Sequence, residues 1–250
     1  MADVERATRF LDFLVAYNHD LRTPLNSIIG FSRVILKGID GPINDVQAED
    51  LTSVHDGGQQ LLAMLNEVID MAKLETGRIE LSPRRLENLG EILADTANRV
   101  HPLVKDRQVQ LNVSLPEDLP PPWGDDTRTR QVLLNLASFC VRNTDAGSVA
   151  MRAAVVDGAM SITIADTGGG WPPEEVAVLF EPYRPPNETQ HIGGAGLSLA
   201  IARELAALQG GALTVESQVG RGTTFTFTLP LAPPSPAGGW PEGAQDGVPK

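Results

Sequence analysis

Leu11, Leu14, Leu21, Leu25, Ile28 and Ile35 fall at alternating a and d positions of a heptad, and this spacing constrains the chain more than any other feature. A helix built on it carries one apolar seam that must meet a partner. The two remaining seam positions, Asn18 and Ser32, are polar. His19 flanks the seam instead of lying in it, so it is placed for solvent or a substrate and not for a core.

The stretch Asn18-His19-Asp20-Leu21-Arg22-Thr23-Pro24-Leu25 sets a carboxylate directly after that histidine and a hydroxyl one helical turn later. A neutral imidazole attacks a phosphoryl group in line when its other ring nitrogen is held by an acceptor. Asp20 is the nearest group to fix the tautomer and draw off the proton. Thr23, at i+4, shares the face of His19 and can orient a water or the phosphoryl group. Pro24 lacks the N–H that would bond the carbonyl of Asp20, so a kink is expected there. The competing reading is a solvated histidine on an amphipathic helix.

The net charge of −12 argues against nucleic acid or an anionic membrane as the main partner, because either needs clustered cations. A single cysteine, Cys140, excludes an intramolecular disulfide and a cysteine-built metal cluster; within its apolar run it reads as buried and inert. His55, His101 and His191 lack metal-ligand spacing. No apolar run is long enough to span a bilayer and no signal peptide opens the chain, so a cytoplasmic protein without direct membrane insertion is expected.

Residues from Val4 to Lys37 read as one helix, Gly38 to Pro42 as a turn, and Asp45 to Glu75 as a second helix with Leu51, Leu62, Leu65, Ile69 and Ala72 on its seam. Val54, Leu61, Val68 and Met71 widen that face. Gly57-Gly58 inside it costs roughly 1 kcal/mol per glycine relative to alanine. Two antiparallel helices expose more apolar surface than one hairpin buries, so pairing into a dimeric four-helix bundle is expected; a monomer with the hairpin packed on its own second domain is the alternative. Glu80 to Arg85 reads as a linker.

Beyond it come a helix from Leu89 to Lys105, a strand from Val109 to Val113, and a helix capped by Asp126. Strands follow at Val149 to Val156 and Met160 to Ala165, joined at Asp157-Gly158. Helices at Glu174 to Phe180 and Leu197 to Leu208 precede closing strands at Leu213 to Ser217 and Thr223 to Leu229. Helices on one face of a mixed sheet make an α+β two-layer sandwich. The expected domains are 1–82, a helical hairpin; 83–231, the sandwich; and 232–250, a Pro/Gly-rich tail expected to be disordered.

Asp166-Thr167-Gly168-Gly169-Gly170 follows a strand. A carboxylate at a strand end before glycines can accept from an adenine amino group while the backbone passes close to the base, although an ordinary turn is as good a reading. Gly193-Gly194-Ala195-Gly196-Leu197 opens a helix and exposes N–H groups suited to phosphate. The lysine-bearing phosphate loop and the dinucleotide fingerprint are both absent.

The octet around His19, continued by Asn26-Ser27-Ile28-Ile29-Gly30-Phe31, resembles the phosphoacceptor box of sensor histidine kinases. Asp166, Gly168 and Gly170 resemble the D-x-G-x-G box of their ATP-binding domain. Gly194, Gly196, Leu197 and Leu199 resemble its lid box, Leu179 to Tyr183 its phenylalanine box with Phe180, and Gly220 to Phe225 its last glycine turn with Thr224. Gln131 to Ser138 resembles the asparagine box, with Asn135 in its first asparagine position. The resemblance runs from residue 8 to 230 in the family's order. It implies autophosphorylation of His19 from ATP with Mg²⁺, with Asp20 and Thr23 assisting and the homodimer passing the group to an aspartate of a response-regulator receiver domain. Asn135, Arg142, Asp166, Gly168, Gly170, Phe180, Gly194, Gly196, Leu197 and Thr224 are the implied nucleotide-binding residues.

Two departures bear on activity. The next asparagine of that box, a Mg²⁺ ligand in the family, is Phe139 here, which offers no oxygen to a hard cation and whose ring is expected where metal and phosphates belong. Arg142 stands at the family's lysine position, and Asn143 is a substitute ligand one turn past Phe139. Ser198 replaces a lid glycine, and between Arg184 and Arg203 the only basic side chain is His191. The alternative function is therefore a catalytically weak or inactive kinase serving as a dimeric scaffold or nucleotide-gated binding module.

Overall fold

The computed structural model describes residues 20–104, 107–116, 118–182 and 196–233. The chain divides into two compact units, Met1–Ile79 and Glu80–Lys250.

In the first unit, α1 is helical over residues 20–36, and the part of the long helix expected before it lies outside the described residues. α2 is Asp45–Glu75, and Asn44 closes a capping box with Gln47 at its N-terminus. The two helices run antiparallel. Arg22 Nη2 donates to Asn66 Oδ1 at 2.8 Å near one end, and His55 of α2 meets Ser32 and the Ile29 carbonyl near the other. The glycine pair in α2 has a packing reason at one of its two positions. A Cβ on Gly58 would stand 3.0 Å from Ile29 Cγ1, whereas one on Gly57 would meet nothing. Ser32, a polar seam residue, is buried and bonds His55 Nδ1 at 3.1 Å. The second polar seam position therefore sets the register of the hairpin.

The second unit is a five-stranded sheet, β2 (Gln108–Ser114), β4 (Ala146–Val156), β5 (Ala159–Asp166), β7 (Gly222–Pro230) and β6 (Ala212–Gln218) in that order, under helices α3 (Leu89–Val100), α4 (Asp126–Arg142) and α6 (Ser198–Leu208). β2 and β4 are parallel, which the crossover through α4 permits. β5, β7 and β6 continue antiparallel. Thr223, Phe225, Phe227 and Leu229 alternate inward along β7 and meet Ile162 and Ile164 of β5 beneath the helices. The β4–β5 turn uses positive φ at Asp157 and Gly158, the geometry that suits the twist of a two-residue hairpin.

Four expectations shift by a few residues. α3 ends at Val100 and passes into a 3₁₀ turn, His101–Val104, because Pro102 has no N–H to continue the α pattern. The cap of α4 is Asp125, not Asp126: its backbone is extended and its Oδ1 accepts from the Arg128 N–H at 2.9 Å. Asp126 instead holds Arg84, Asn88 and Arg130. Burial pushes the Asp126 carboxyl up, but those three bonds together hold it below the usual carboxylate range. α5 is only Pro173–Val176, followed by i+3 turns at Val178, Leu179 and Glu181. Arg84–Arg85 is a short strand, β1, paired with β3 (Trp123–Gly124).

α4 and α6 (Ser198–Leu208) are pinned by the buried Gln209. Its Oε1 accepts from the Asp125 N–H and the Thr129 hydroxyl, both at 2.9 Å, while its Nε2 donates to the Leu205 carbonyl. Such a satisfied buried network fixes one packing of the helices.

Candidate nucleotide site

The end of β5 supplies a carboxylate built into a backbone cage. Asp166 Oδ1 accepts from the N–H of Gly168 at 2.9 Å and from the N–H of Thr223 at 3.1 Å. Oδ2 is buried and, apart from the weak donor Cys140 beside the carboxyl, meets no hydrogen-bond donor. Burial raises the Asp166 carboxyl above the ordinary carboxylate range against the pull of Gly168, Cys140 and Thr223. Burial, and then the Asp166 charge, push the Cys140 thiol well up, so it stays an unreactive S–H.

The glycines around this carboxylate are sterically required. A side chain at Gly168 would enter the Asn143 carbonyl, and one at Gly170, where φ is +65°, would enter the Gln218 carbonyl. Thr224, named from the sequence, lies on the strand face opposite Thr223. It is the adjacent Thr223, which sequence reasoning passed over, whose N–H reaches Asp166.

α4 carries Asn135 and Phe139 one turn apart on one stripe, and Asn143 caps its C-terminus one turn further on. Asn135 Nδ2 donates to the Ser198 carbonyl at 2.8 Å, tying α4 to the start of α6. Asn143 Nδ2 folds back onto the Phe139 carbonyl at 2.9 Å. The Phe139 ring is buried, stacked on Trp171 with centroids 5.5 Å apart and edge-on to Phe225 at 5.5 Å. Phe180 meets Phe225 in turn and lies under the Arg203 guanidinium at 5.6 Å. Arg142 is half-buried at the end of α4.

At the start of α6, Gly196 has φ +70° and Leu197 is fully buried at the cap position. Gly194 lies outside the described residues, as does His19. Asp20 and Thr23 occupy exposed positions on α1, where the Thr23 carbonyl accepts from the Ser27 hydroxyl. Among the described residues no group of three or more His, Cys, Asp or Glu side chains is placed to hold a metal ion. A divalent cation does not fit the stripe at position 139, because the side chain there is a ring packed into an aromatic cluster. No described helix is long and apolar enough to cross a membrane.

A buried carboxylate with one oxygen short of a strong donor, set among glycines that admit no side chain, has the chemistry to accept from a flat polar base. Residues 124–233 match the family model of the histidine kinase-, DNA gyrase B-, and HSP90-like ATPases, and residues 11–77 match the His Kinase A (phospho-acceptor) domain. The chain belongs to the sensor histidine kinases. It is 36% identical over 221 residues to the histidine protein kinase DivJ of Caulobacter vibrioides, covering 88% of this chain and 37% of DivJ. It is 33% identical over 224 residues to the circadian input-output histidine kinase CikA of Synechococcus elongatus, covering 88% of this chain and 30% of CikA. The solved structure of full-length ShkA in complex with AMPPNP superposes with a TM-score of 0.70 at 32% identity, over 88% of this chain and 45% of ShkA. The chain thus spans 30% and 37% of the length of these two curated relatives. The second unit is a nucleotide-binding ATPase domain of this family.

Proposed function

We propose that the chain is the kinase core of a two-component sensor. ATP engages the sandwich with its adenine amino group on Asp166 Oδ2 and its phosphates toward the segment that ends at Gly196 and Leu197. A ring nitrogen of His19 attacks the γ-phosphorus, the bond to the β-phosphate oxygen breaks, and ADP leaves. Asp20 takes up the ring proton and Thr23 orients the phosphoryl group. The phosphoryl group then passes to an aspartate of a response-regulator receiver domain. Paired hairpins make the working unit a homodimer, since a lone hairpin leaves Leu21, Ile28, Phe31, Val54 and Leu61 in water.

The observation that carries this reading is the buried Asp166 oxygen without a strong donor, set in glycine turns that admit no side chain, in a chain whose other unit presents the histidine box. AMPPNP in the ShkA structure and the names of the curated relatives support it. Incubation with γ-labelled ATP tests it. The chain should take up acid-labile label that His19→Gln abolishes, and a wild-type chain that stays unlabelled with every divalent metal tried would contradict it.

A further inference from the structure

The two halves of the site are unequally equipped. The base half is built: Asp166 Oδ1 is pinned by two backbone N–H groups, while the buried Oδ2 has only the weak donor Cys140 beside it. The phosphate half lacks what a hard cation demands. Mg²⁺ takes oxygen ligands at about 2.0–2.1 Å in octahedral array. The stripe of α4 that would face it offers the Phe139 ring, backed by Trp171 and Phe225, none of which carries an oxygen on its ring. The flanking carboxamides donate through their nitrogens, Asn135 to the Ser198 carbonyl and Asn143 to the Phe139 carbonyl, so what they can offer a cation is a neutral amide oxygen one turn to either side of the ring, with none at position 139 itself. No acidic cluster among the described residues stands in for them.

We infer that this site takes its adenine nucleotide without a divalent ion held by α4, anchored by the base at Asp166 and not by a metal-bridged triphosphate. The inference rests on the nucleotide reading above and goes beyond it by removing the metal. Affinity then resides in the base contact at the Asp166 carboxylate, and ATP and ADP bind alike because the metal that would distinguish their phosphates has no seat at position 139. Phosphoryl transfer proceeds without the charge neutralisation that a bridging ion gives, and is slow for that reason.

Calorimetric titration of the full chain with AMPPNP, in excess Mg²⁺ and again in excess EDTA, tests this. The two dissociation constants should agree within about threefold, a difference worth under 1 kcal/mol. A larger weakening in EDTA overturns the inference. Phe139→Asn restores an oxygen donor and should bind at least about tenfold more tightly with Mg²⁺ than without, the usual scale for a metal-site contact. Phe139→Leu keeps the site apolar and should remain insensitive to EDTA. A folded Phe139→Asn chain that stays insensitive overturns the inference, since position 139 would then not face the metal. Absence of binding by folded wild-type chain under both conditions overturns the nucleotide reading itself and the inference with it; metal-dependent binding overturns the inference alone.

Discussion

The hairpin and the sandwich treat their apolar residues in opposite ways. In the sandwich Ile162, Ile164, Phe225 and Phe227 are wholly buried between sheet and helices. In the hairpin Phe31 is 70% exposed, and Ile28, Val54 and Leu61 lie near half exposure, while Leu25, Ile69 and Met71 are the buried hydrophobic residues among those described. An element that leaves its seam in water is half of a structure. The sandwich supplies its own core, whereas the hairpin is built to have one supplied.

The strongest way to break this contrast is to hollow out the self-sufficient unit. Phe227→Ala should cost about 3–5 kcal/mol of sandwich stability, seen in urea unfolding as loss of the β signal at lower denaturant, with the hairpin transition unmoved. If both shift together, the units are not independent. Next, Phe31→Asp with Leu61→Asp should leave the sandwich transition intact and weaken self-association by two or more orders of magnitude in sedimentation, about 3 kcal/mol. An unchanged dimer would place the interface elsewhere, and a wild-type monomer would remove it.

Asp125→Ala removes the α4 cap and the acceptor for the Ser82 N–H at 2.7 Å, and should destabilise the sandwich by about 1–2 kcal/mol. The two glycines of α2 give a finer reading. Gly57→Ala should stabilise the hairpin by roughly 0.5–1 kcal/mol, while Gly58→Ala forfeits that gain against Ile29. Equal effects would show that helix packing at Gly58 is looser than described.

The Asp166 carboxyl gives the smallest and most specific effect. Because its folded pKa lies above the unfolded value of about 3.9, its contribution to stability is full below that value and is lost as pH rises through the raised one. Sandwich stability should therefore fall with rising pH more in the wild type than in Asp166→Asn, as measured by urea unfolding across the acidic range. Parallel profiles would show that burial does not raise this group.

Elements with a strong local signature were legible in the sequence. The apolar period alone places α2 at Asp45–Glu75, and Asp157-Gly158 marks the β4–β5 hairpin turn from two residues. Where two candidates stand side by side, backbone conformation decides what composition cannot, and so the cap of α4 fell to Asp125 over Asp126. The β1–β3 pairing and the Gln209 staple join residues far apart in sequence and leave no periodic trace. The site divides in the same way. Asp166 and its glycines could be read because a carboxylate followed by glycines is a local pattern. That Phe139 would be seated between Trp171 and Phe225 depends on the loop after β5 and on β7, both remote from α4 in sequence, and the donor role of Thr223 depends on β5–β7 pairing.

Mapping the phosphate decides whether the nucleotide held at Asp166 phosphorylates His19. After incubation with ATP, the tryptic peptide Phe10–Arg22 should carry phosphohistidine at His19, and Asp166→Ala should lose it while its hairpin stays dimeric. Phosphate found on another residue, or an Asp166→Ala chain modified as fast as the wild type, would contradict the account.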